Sequence, residues 1–340
     1  MGTLKDLSQL TGYSIATISR VLNEDKSLSV TENTRKIILE AAGKLDYTGK
    51  KGQSKKAKAA PPKIGIVEMM DIHNQLEDPY YLYLKRNVES CCFESGLETI
   101  ALQYDEDQGC YRSIVQTELD GILAIGQFLE EQIEAMRQWT DKIVFVDSSP
   151  FEQIYSAVTP NFSLGVSQGI EYLAEMGHEK IAFVGPEFST DSMGREAPEK
   201  RRKFFEEYIQ SYRTDLKGVF LDTVWRSNDV SERVEKYLKE TTDRVTAFFA
   251  FNEATAIGII RALKAQGYQV PDDYSVLSYN DTSLATLLQP QLTSISIHLH
   301  DMAKAAVELM GKQLKGAGSV PVKILISSTL IKRESVRRLK

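Results

Sequence analysis

The sequence predicts an α/β protein in which an all-α helix-turn-helix headpiece precedes a two-lobed body of doubly wound parallel sheets. Three observations predict it. Residues 3–23 read as two short amphipathic helices on either side of Gly12. Residues 48–62 carry no side chain able to build a core. From Lys63 to the end of the chain, short apolar runs alternate with helical periods.

The headpiece, 1–47, begins with a helix capped by Thr3. Asp6 stands three residues later as its capping-box partner, and Leu4, Leu7 and Leu10 point inward. Gly12 supplies the turn. Ser14 caps a second helix, whose Ile18, Val21 and Leu22 recur at three- and four-residue spacing and form one apolar stripe. Ile15, Ala16, Thr17, Ser19 and Arg20 are left on its other side, small or polar with one cation. Thr31 caps a third helix, where Ile37, Ile38, Ala41, Ala42 and Leu45 close a small core before Tyr47. Any two small packed helices would share this outline, so the outline alone does not assign a function.

The segment 48–62 is a basic linker. The stretch from Thr48 through Lys63 holds six lysines, five of them within the linker, and no Leu, Ile, Val or aromatic residue, and such a segment is a solvated spacer when alone. The body, 63–340, opens with KIGIVEM (63–69). Further strand candidates are 98–104, 121–126, 142–147, 180–186, 218–224, 246–252, 274–281, 293–297 and KILISSTLI (323–331). Near-continuous apolar runs of this length suit strands buried on both faces of parallel sheets. Helical periods such as SLGVSQGIEYLAEMG and EATAIGIIRALKAQG fall between them. So many strands require two lobes.

Charge divides along the chain. The whole carries −6, yet residues 1–60 hold 11 Lys/Arg against 6 Asp/Glu, a net of +5, and the remainder nets −11. A basic head on an acidic body places attraction for phosphate at one end. Cys91, Cys92 and Cys110 have no metal-ligand spacing and read as apolar filler. The four histidines are scattered, and neither a metal site nor any cofactor is expected. No nucleophile elbow, P-loop or GxGxxG occurs, so an enzyme is disfavoured. A polar N-terminus and the lack of any ~18-residue apolar run predict a cytoplasmic protein with no membrane span.

The wording of the headpiece is more telling than its shape. KDLSQLTGYSIATISRVLN followed by SVTENTRKIILEAAGKLDY resembles the DNA-binding headpiece of the LacI/GalR family. The likeness continues through MGHEKIAFVGP, the stretch from FFAFNEATAIGII to VLSYNDT, PQLTSISIHLHDMAKAA and STLIKRES. It implies an effector domain similar to periplasmic sugar-binding proteins, with lobe 1 at about 63–160 and 293–322 and lobe 2 at about 161–292 and 323–340. Three crossings are then expected, near Asn161, near Leu292 and just before Lys323. Galactose-operon regulators of Gram-positive bacteria are the nearest members, chiefly through LEDPYYLYL and the headpiece.

On the DNA side the resemblance puts Ile15 and Ala16 at the positions that choose the operator, where both can meet only thymine methyls. Arg20 is the expected bidentate partner of a guanine. Thr17, Ser19, Asn23 and Thr31 suit phosphate contacts, and Thr3, Ser14 and Tyr47 complete the DNA-binding set. Members of the family commonly wedge linker leucines into the minor groove. No Leu lies between Leu45 and Leu76 here, so that wedge is not expected.

On the effector side, Asp147, Asn252 and Asn280 stand at strand ends, where ligands bind in open α/β sheets. Carboxylates and amides are what vicinal sugar hydroxyls need, although such a residue can equally be a structural cap. Arg201 matches the family's ligand-contacting arginine by its spacing to Phe205 and Tyr208, and Asn280 replaces the Asp of well-known members. Asp78 and Tyr81 form another candidate wall, though Asp-Pro is also a helix opening. Trp225 is a further aromatic candidate for a pyranose face. The resemblance therefore implies a homodimeric repressor of a sugar-utilisation operon that reads palindromic double-stranded DNA and answers to galactose or a galactoside. The alternatives are a sugar receptor or transport protein without DNA function, or a regulator answering to a sugar phosphate or phosphocarrier corepressor. The chain ends without a leucine heptad, so no four-chain bundle is implied.

Overall fold

A computed structural model describes residues 3–22, 25, 28–45, 60–69, 78–191, 195–224, 227–317 and 320–339. The chain divides into two compact units, Met1–Pro61 and Pro62–Lys340. Asn23, Tyr47, Trp225 and most of the 48–62 linker lie outside the described residues.

In the first unit, α1 (Leu4–Thr11), α2 (Ile15–Leu22) and α3 (Glu32–Lys44) pack around Leu7, Ile18, Val21 and Ile38. The capping box forms: the Thr3 N–H donates to Asp6 Oδ2 at 2.7 Å and the Asp6 N–H to Thr3 Oγ1 at 3.2 Å. Gly12 ends α1 in the left-handed region at φ 71°. Ser14 Oγ accepts the Thr17 N–H at 3.1 Å, and Thr31 Oγ1 accepts the Thr34 N–H at 3.2 Å. Two expected core members do not join: Leu10 is 56% and Ile37 38% exposed. A core of three short helices is too small to enclose every residue of each stripe.

The second unit continues as β1 (Lys63–Glu68), α4 (Tyr80–Glu94), β2 (Glu98–Asp105), β3 (Cys110–Arg112), β4 (Gly121–Ile125) and α5 (Glu130–Arg137). Then come β5 (Ile143–Val146), β6 (Ser156–Pro160), α6 (Phe162–Glu175), β7 (Lys180–Gly185), β8 (Phe188–Thr190) and β9 (Glu196–Pro198). After these run α7 (Lys200–Tyr212), β10 (Lys217–Asp222), α8 (Ser227–Glu240), β11 (Ala247–Ala250) and α9 (Glu253–Ala265). The chain closes with β12 (Ser275–Asn280), α10 (Leu284–Leu287), β13 (Thr293–Ser296), α11 (Leu299–Leu314), β14 (Lys323–Ile326) and β15 (Thr329–Ile331).

Among the described residues these strands form two main sheets. One has the order β14-β6-β5-β4-β1-β2-β3, the other β10-β7-β11-β12-β13-β15, and β8 and β9 pair in a separate hairpin. Both main sheets are parallel except for their edge strands β3 and β15. Their central strands are buried throughout, as in GILAI of β4 and AFFA of β11.

Sheet membership moves two of the three expected crossings. The first lies at Asn161, between β6 of one sheet and α6, which packs on β13 and β15 of the other. β13 pairs with β12 in the second lobe, and α11 packs on β4, β5 and β6 of the first. The second crossing therefore falls at 297–298 rather than near Leu292. KILISSTLI is two strands, since Lys323–Ile326 pairs with β6 and Thr329–Ile331 with β13. The third crossing falls at 327–328 rather than before Lys323. A continuous apolar run reveals that a strand exists but not which sheet receives it, and only the pair Ser327-Ser328 marked the switch.

The three crossings are tied together. The Asn161 N–H donates to the Ile326 carbonyl at 2.8 Å, and Ser328 Oγ donates to the Asn161 carbonyl at 3.1 Å. His298 Nε2 and Thr329 Oγ1 share a hydrogen bond of 2.9 Å. Among the described residues no helix is long and apolar enough to cross a membrane.

Candidate functional site

The C-terminal ends of the parallel strands of both lobes face a cavity of about 510 Å³. From the first lobe come Asp78, Tyr80 and Tyr81 at the start of α4, and Asp147 after β5. From the second come Phe162 at the start of α6, Arg201 at the start of α7, Phe251 after β11 and Asn280 at the end of β12. This is the strand-end crevice at which α/β sheets hold ligands.

Arg201 is the most constrained of these residues. Its Nε donates to Glu199 Oε1 at 3.0 Å and its Nη1 to the Phe251 carbonyl at 3.1 Å. Its guanidinium carbon lies 3.6 Å from the Phe251 ring centroid and 5.2 Å from that of Phe162. The Arg201 and Glu199 side chains are 12% and 7% exposed. Burial opposes the arginine's charge, but Glu199, Tyr279 and Asp147 around it hold its pKa above the usual value. A guanidinium fixed in plane on two sides can offer a directed fork to adjacent hydroxyls.

Asp147 takes a left-handed backbone, φ 73°, as do Asn280 at 90° and Asp281 at 56°. Non-glycine residues in this region cost on the order of 1–3 kcal/mol each, and they cluster where side chains must be aimed at a site. Asp147 Oδ2 accepts the Tyr81 hydroxyl at 3.0 Å. Burial pushes the Asp147 carboxyl up, while the Tyr81 hydrogen bond and the Arg201 and Lys200 charges pull it back. Asp147 Oδ1 and the Tyr80 hydroxyl are both buried, and neither makes a well-formed hydrogen bond. A bound hydroxyl can satisfy such groups.

Asp78 and Asn252 meet across the lobes. Asp78 Oδ2 accepts the Asn252 side-chain amide at 2.7 Å, and Asp78 Oδ1 accepts the Tyr80 N–H at 3.2 Å. Asn252 also caps α9, its Oδ1 accepting the Thr255 N–H at 2.8 Å. Asn252 is fully buried and is not among the residues lining the cavity. Its expected ligand-binding place is therefore corrected to a cap and an inter-lobe link, because both polar atoms of its amide already have protein partners. Asp78 opens its helix as an acceptor of the Tyr80 N–H and lines the cavity as well.

The structure gathers Asp78, Tyr81, Asp147, Arg201 and Asn280, named from the sequence as separate candidates, around one cavity. Sequence reasoning missed Glu199, Phe162, Phe251 and the β8–β9 hairpin, whose Phe188, Ser189 and Asp191 also line the cavity. Glu199 carried one usable signal, since it stands as N-cap of α7 two residues before Arg201.

In the headpiece Ser14, Ile15, Ala16 and Arg20 are exposed, with Thr17 and Ser19 half-buried on the same helix. Ile15 is 47% exposed although large and apolar. Arg20 Nε donates to Asp25 Oδ2 at 2.8 Å, which orients the guanidinium. Thr3 and Thr31 serve as caps.

Comparison with known proteins agrees with both units. Residues 3–49 match the bacterial regulatory proteins of the lacI family, and residues 170–336 match a periplasmic binding protein-like domain. Over 345 residues the chain is 32% identical to the HTH-type transcriptional regulator GalR of Streptococcus thermophilus, covering 99% of this chain and all of that one. The chain belongs to the LacI family. This LacI-family member is 27% identical over 343 residues to the regulator GanR of Bacillus subtilis (strain 168), with 99% and 100% covered. Its fold is also that of the lac repressor dimer solved with operator and the anti-inducer ONPF, at a TM-score of 0.64 and 19% identity over 99% of each chain. The LacI-family chain is thus a DNA-binding transcriptional regulator with a periplasmic binding protein-like effector domain.

Proposed function

We propose that this regulator is a homodimeric repressor of a sugar-utilisation operon, controlled by galactose or a galactoside held between its two lobes. The observation that carries the reading is the cavity wall, where Asp147, Asn280 and the clamped Arg201 converge beside aromatic faces. Paired acceptors, an amide and a guanidinium fork are the groups that vicinal hydroxyls require, and Phe162 and Phe251 suit the apolar face of a pyranose. Similarity to GalR supports galactose within that class.

An uncharged sugar fits better than a sugar phosphate. Asp78, Asp147, Asp191 and Glu199 line the cavity against Lys200 and Arg201, and Arg201 already serves Glu199 and the Phe251 carbonyl. A phosphate needs cationic donors to spare. Two headpieces on a two-fold body would read a palindrome, and a sugar with higher affinity for one lobe arrangement would shift the regulator toward it.

Gel retardation tests the whole reading. The purified protein is expected to retard a palindromic duplex from a sugar-operon promoter at modest salt, and galactose or a galactoside is expected to change that affinity at least tenfold. Retardation unaffected by any free sugar but altered by sugar phosphates would overturn the effector assignment and leave the DNA-binding half.

A further inference from the structure

α7 is opened by a residue type that rarely caps. Helix N-caps are usually Ser, Thr, Asp or Asn, whose short side chains reach the orphan N–H groups of the first turn. Glu199 fills the place here, and its Oε2 accepts the Arg202 N–H at 2.9 Å. The longer side chain lets the other oxygen reach a second donor. Glu199 Oε1 accepts Arg201 Nε at 3.0 Å. An aspartate would make the cap, but its carboxylate would stop short of that nitrogen.

Every polar atom of Glu199 is in use. Its N–H donates to the Glu187 carbonyl at 3.0 Å, and its own carbonyl accepts the Lys203 N–H at 2.9 Å. Glu187 immediately precedes β8, so the first of these bonds fastens the base of the β8–β9 hairpin, where Phe188 pairs with Pro198. Two consecutive arginines are then sent different ways. Arg202, which does not line the cavity, donates from Nε to Asp222 Oδ1 at 3.0 Å and lies over the Phe220 ring. Arg201 lines the cavity, and its Nη1 donates to the Phe251 carbonyl at 3.1 Å. With Nε and Nη1 engaged, Nη2 is the nitrogen that makes no hydrogen bond to a described residue.

We propose that Glu199 is a positioning residue for effector recognition, which aims the Arg201 guanidinium and ties it to the β8–β9 hairpin. It acts through Arg201 and not on the ligand, since both of its carboxylate oxygens already accept from the protein. This role rests on the reading of the cleft as a sugar site. A guanidinium free to turn about its last bonds loses rotamer freedom when a ligand binds, whereas one held at Nε and Nη1 is already ordered. Glu199 therefore sets affinity without contributing a contact of its own.

Titration calorimetry and melting curves on the full-length protein test this, with galactose, glucose and lactose as probes. The parent is expected to bind at least one of them. Glu199→Asp keeps the cap, so it should unfold within a few degrees of the parent, yet it should weaken that sugar about tenfold. Glu199→Gln keeps the length but has one carbonyl oxygen for two donors, and should weaken the sugar by a similar factor. In an Arg201→Lys background Glu199→Asp should cost less than about twofold, because the guanidinium it aims is gone. Affinity within about twofold of the parent in both Glu199→Asp and Glu199→Gln overturns the proposal and leaves Glu199 as a cap. A loss that is undiminished in the Arg201→Lys background also overturns it, since Glu199 would then act on the ligand directly. Either result leaves the sugar site standing. A parent that binds none of the three sugars removes the sugar reading and this proposal together.

Discussion

Asp78 of the first lobe accepts the side-chain amide of Asn252 of the second at 2.7 Å. The same two residues hold the first N–H groups of their own helices, α4 through Tyr80 and α9 through Thr255. One hydrogen bond therefore joins two helix N-termini across the cleft. Ser283 Oγ, which donates to the Tyr83 hydroxyl at 2.6 Å, adds a second inter-lobe link.

Asn252→Ala removes a helix cap and leaves buried Asp78 short of a donor. Loss of the cap costs about 1 kcal/mol and the orphaned acceptor about 1–3 kcal/mol. A fall of roughly 2–4 kcal/mol in denaturant unfolding is expected. Asn252→Asp keeps the cap but sets one carboxylate against another, so its deficit should shrink as the pH is lowered.

Arg201→Lys is expected to weaken effector binding at least tenfold, measured by ligand-induced thermal shift. A lysine cannot reproduce a planar fork that serves Glu199 and the Phe251 carbonyl at once. Stability should also drop, by about 1–3 kcal/mol, because the buried Glu199 Oε1 and the Phe251 carbonyl lose donors that a single ammonium cannot replace in the same geometry.

Arg20→Ala is expected to relax base preference at one operator position by about 1–3 kcal/mol. Asp25→Ala should relax the same position to a lesser degree, since Asp25 orients the guanidinium through Nε. Binding-site selection on parent and variants reads both effects, and an unchanged preference for Arg20→Ala would count against guanine contact.

Glu253 predicts an alkaline weakness. Burial pushes its carboxyl up to about 8, and the Asp78 and Asp281 charges add to the rise against the Thr282 N–H bond. From about pH 4.5 to about 8 the folded protein keeps a proton that the unfolded chain releases. Stability from this group therefore falls as pH rises through that window, by at most about 1.4 kcal/mol per unit. His178, lowered by burial to about 4, gives the opposite slope below about 6.5, with stability lost as pH falls. The difference between Glu253→Gln and parent melting curves isolates the carboxyl. The variant should gain on the parent from pH 5 to about 8 and level off above it.

The sequence was most legible where local chemistry decides structure. Thr3 with Asp6, Gly12, Ser14 and Thr31 announced the headpiece, and runs such as AFFAF announced buried strands. It was less legible where a partner decides. Nothing in TSIS or KILI names the sheet it joins, and the Ala, Thr and Pro of β6 do not read as an interior strand. The candidate wall was half legible for the same reason. Polar strand ends stand out, but whether an amide faces a cavity or, like Asn252, a carboxylate from another lobe depends on residues far along the chain. The β8–β9 hairpin carried no periodic signal at all, being two three-residue strands.

The stitching of Asn161, His298, Ser328 and Thr329 constrains how the body can respond. Three chain passages fastened side by side act as an axle, leaving rotation about one line as the soft motion and stiffening twist and shear. Sugars of different length would then stop the lobes at different angles along one path. Graded ligands should produce graded occupancy of the operator, with Ser328 as the place where loosening the axle scrambles that order.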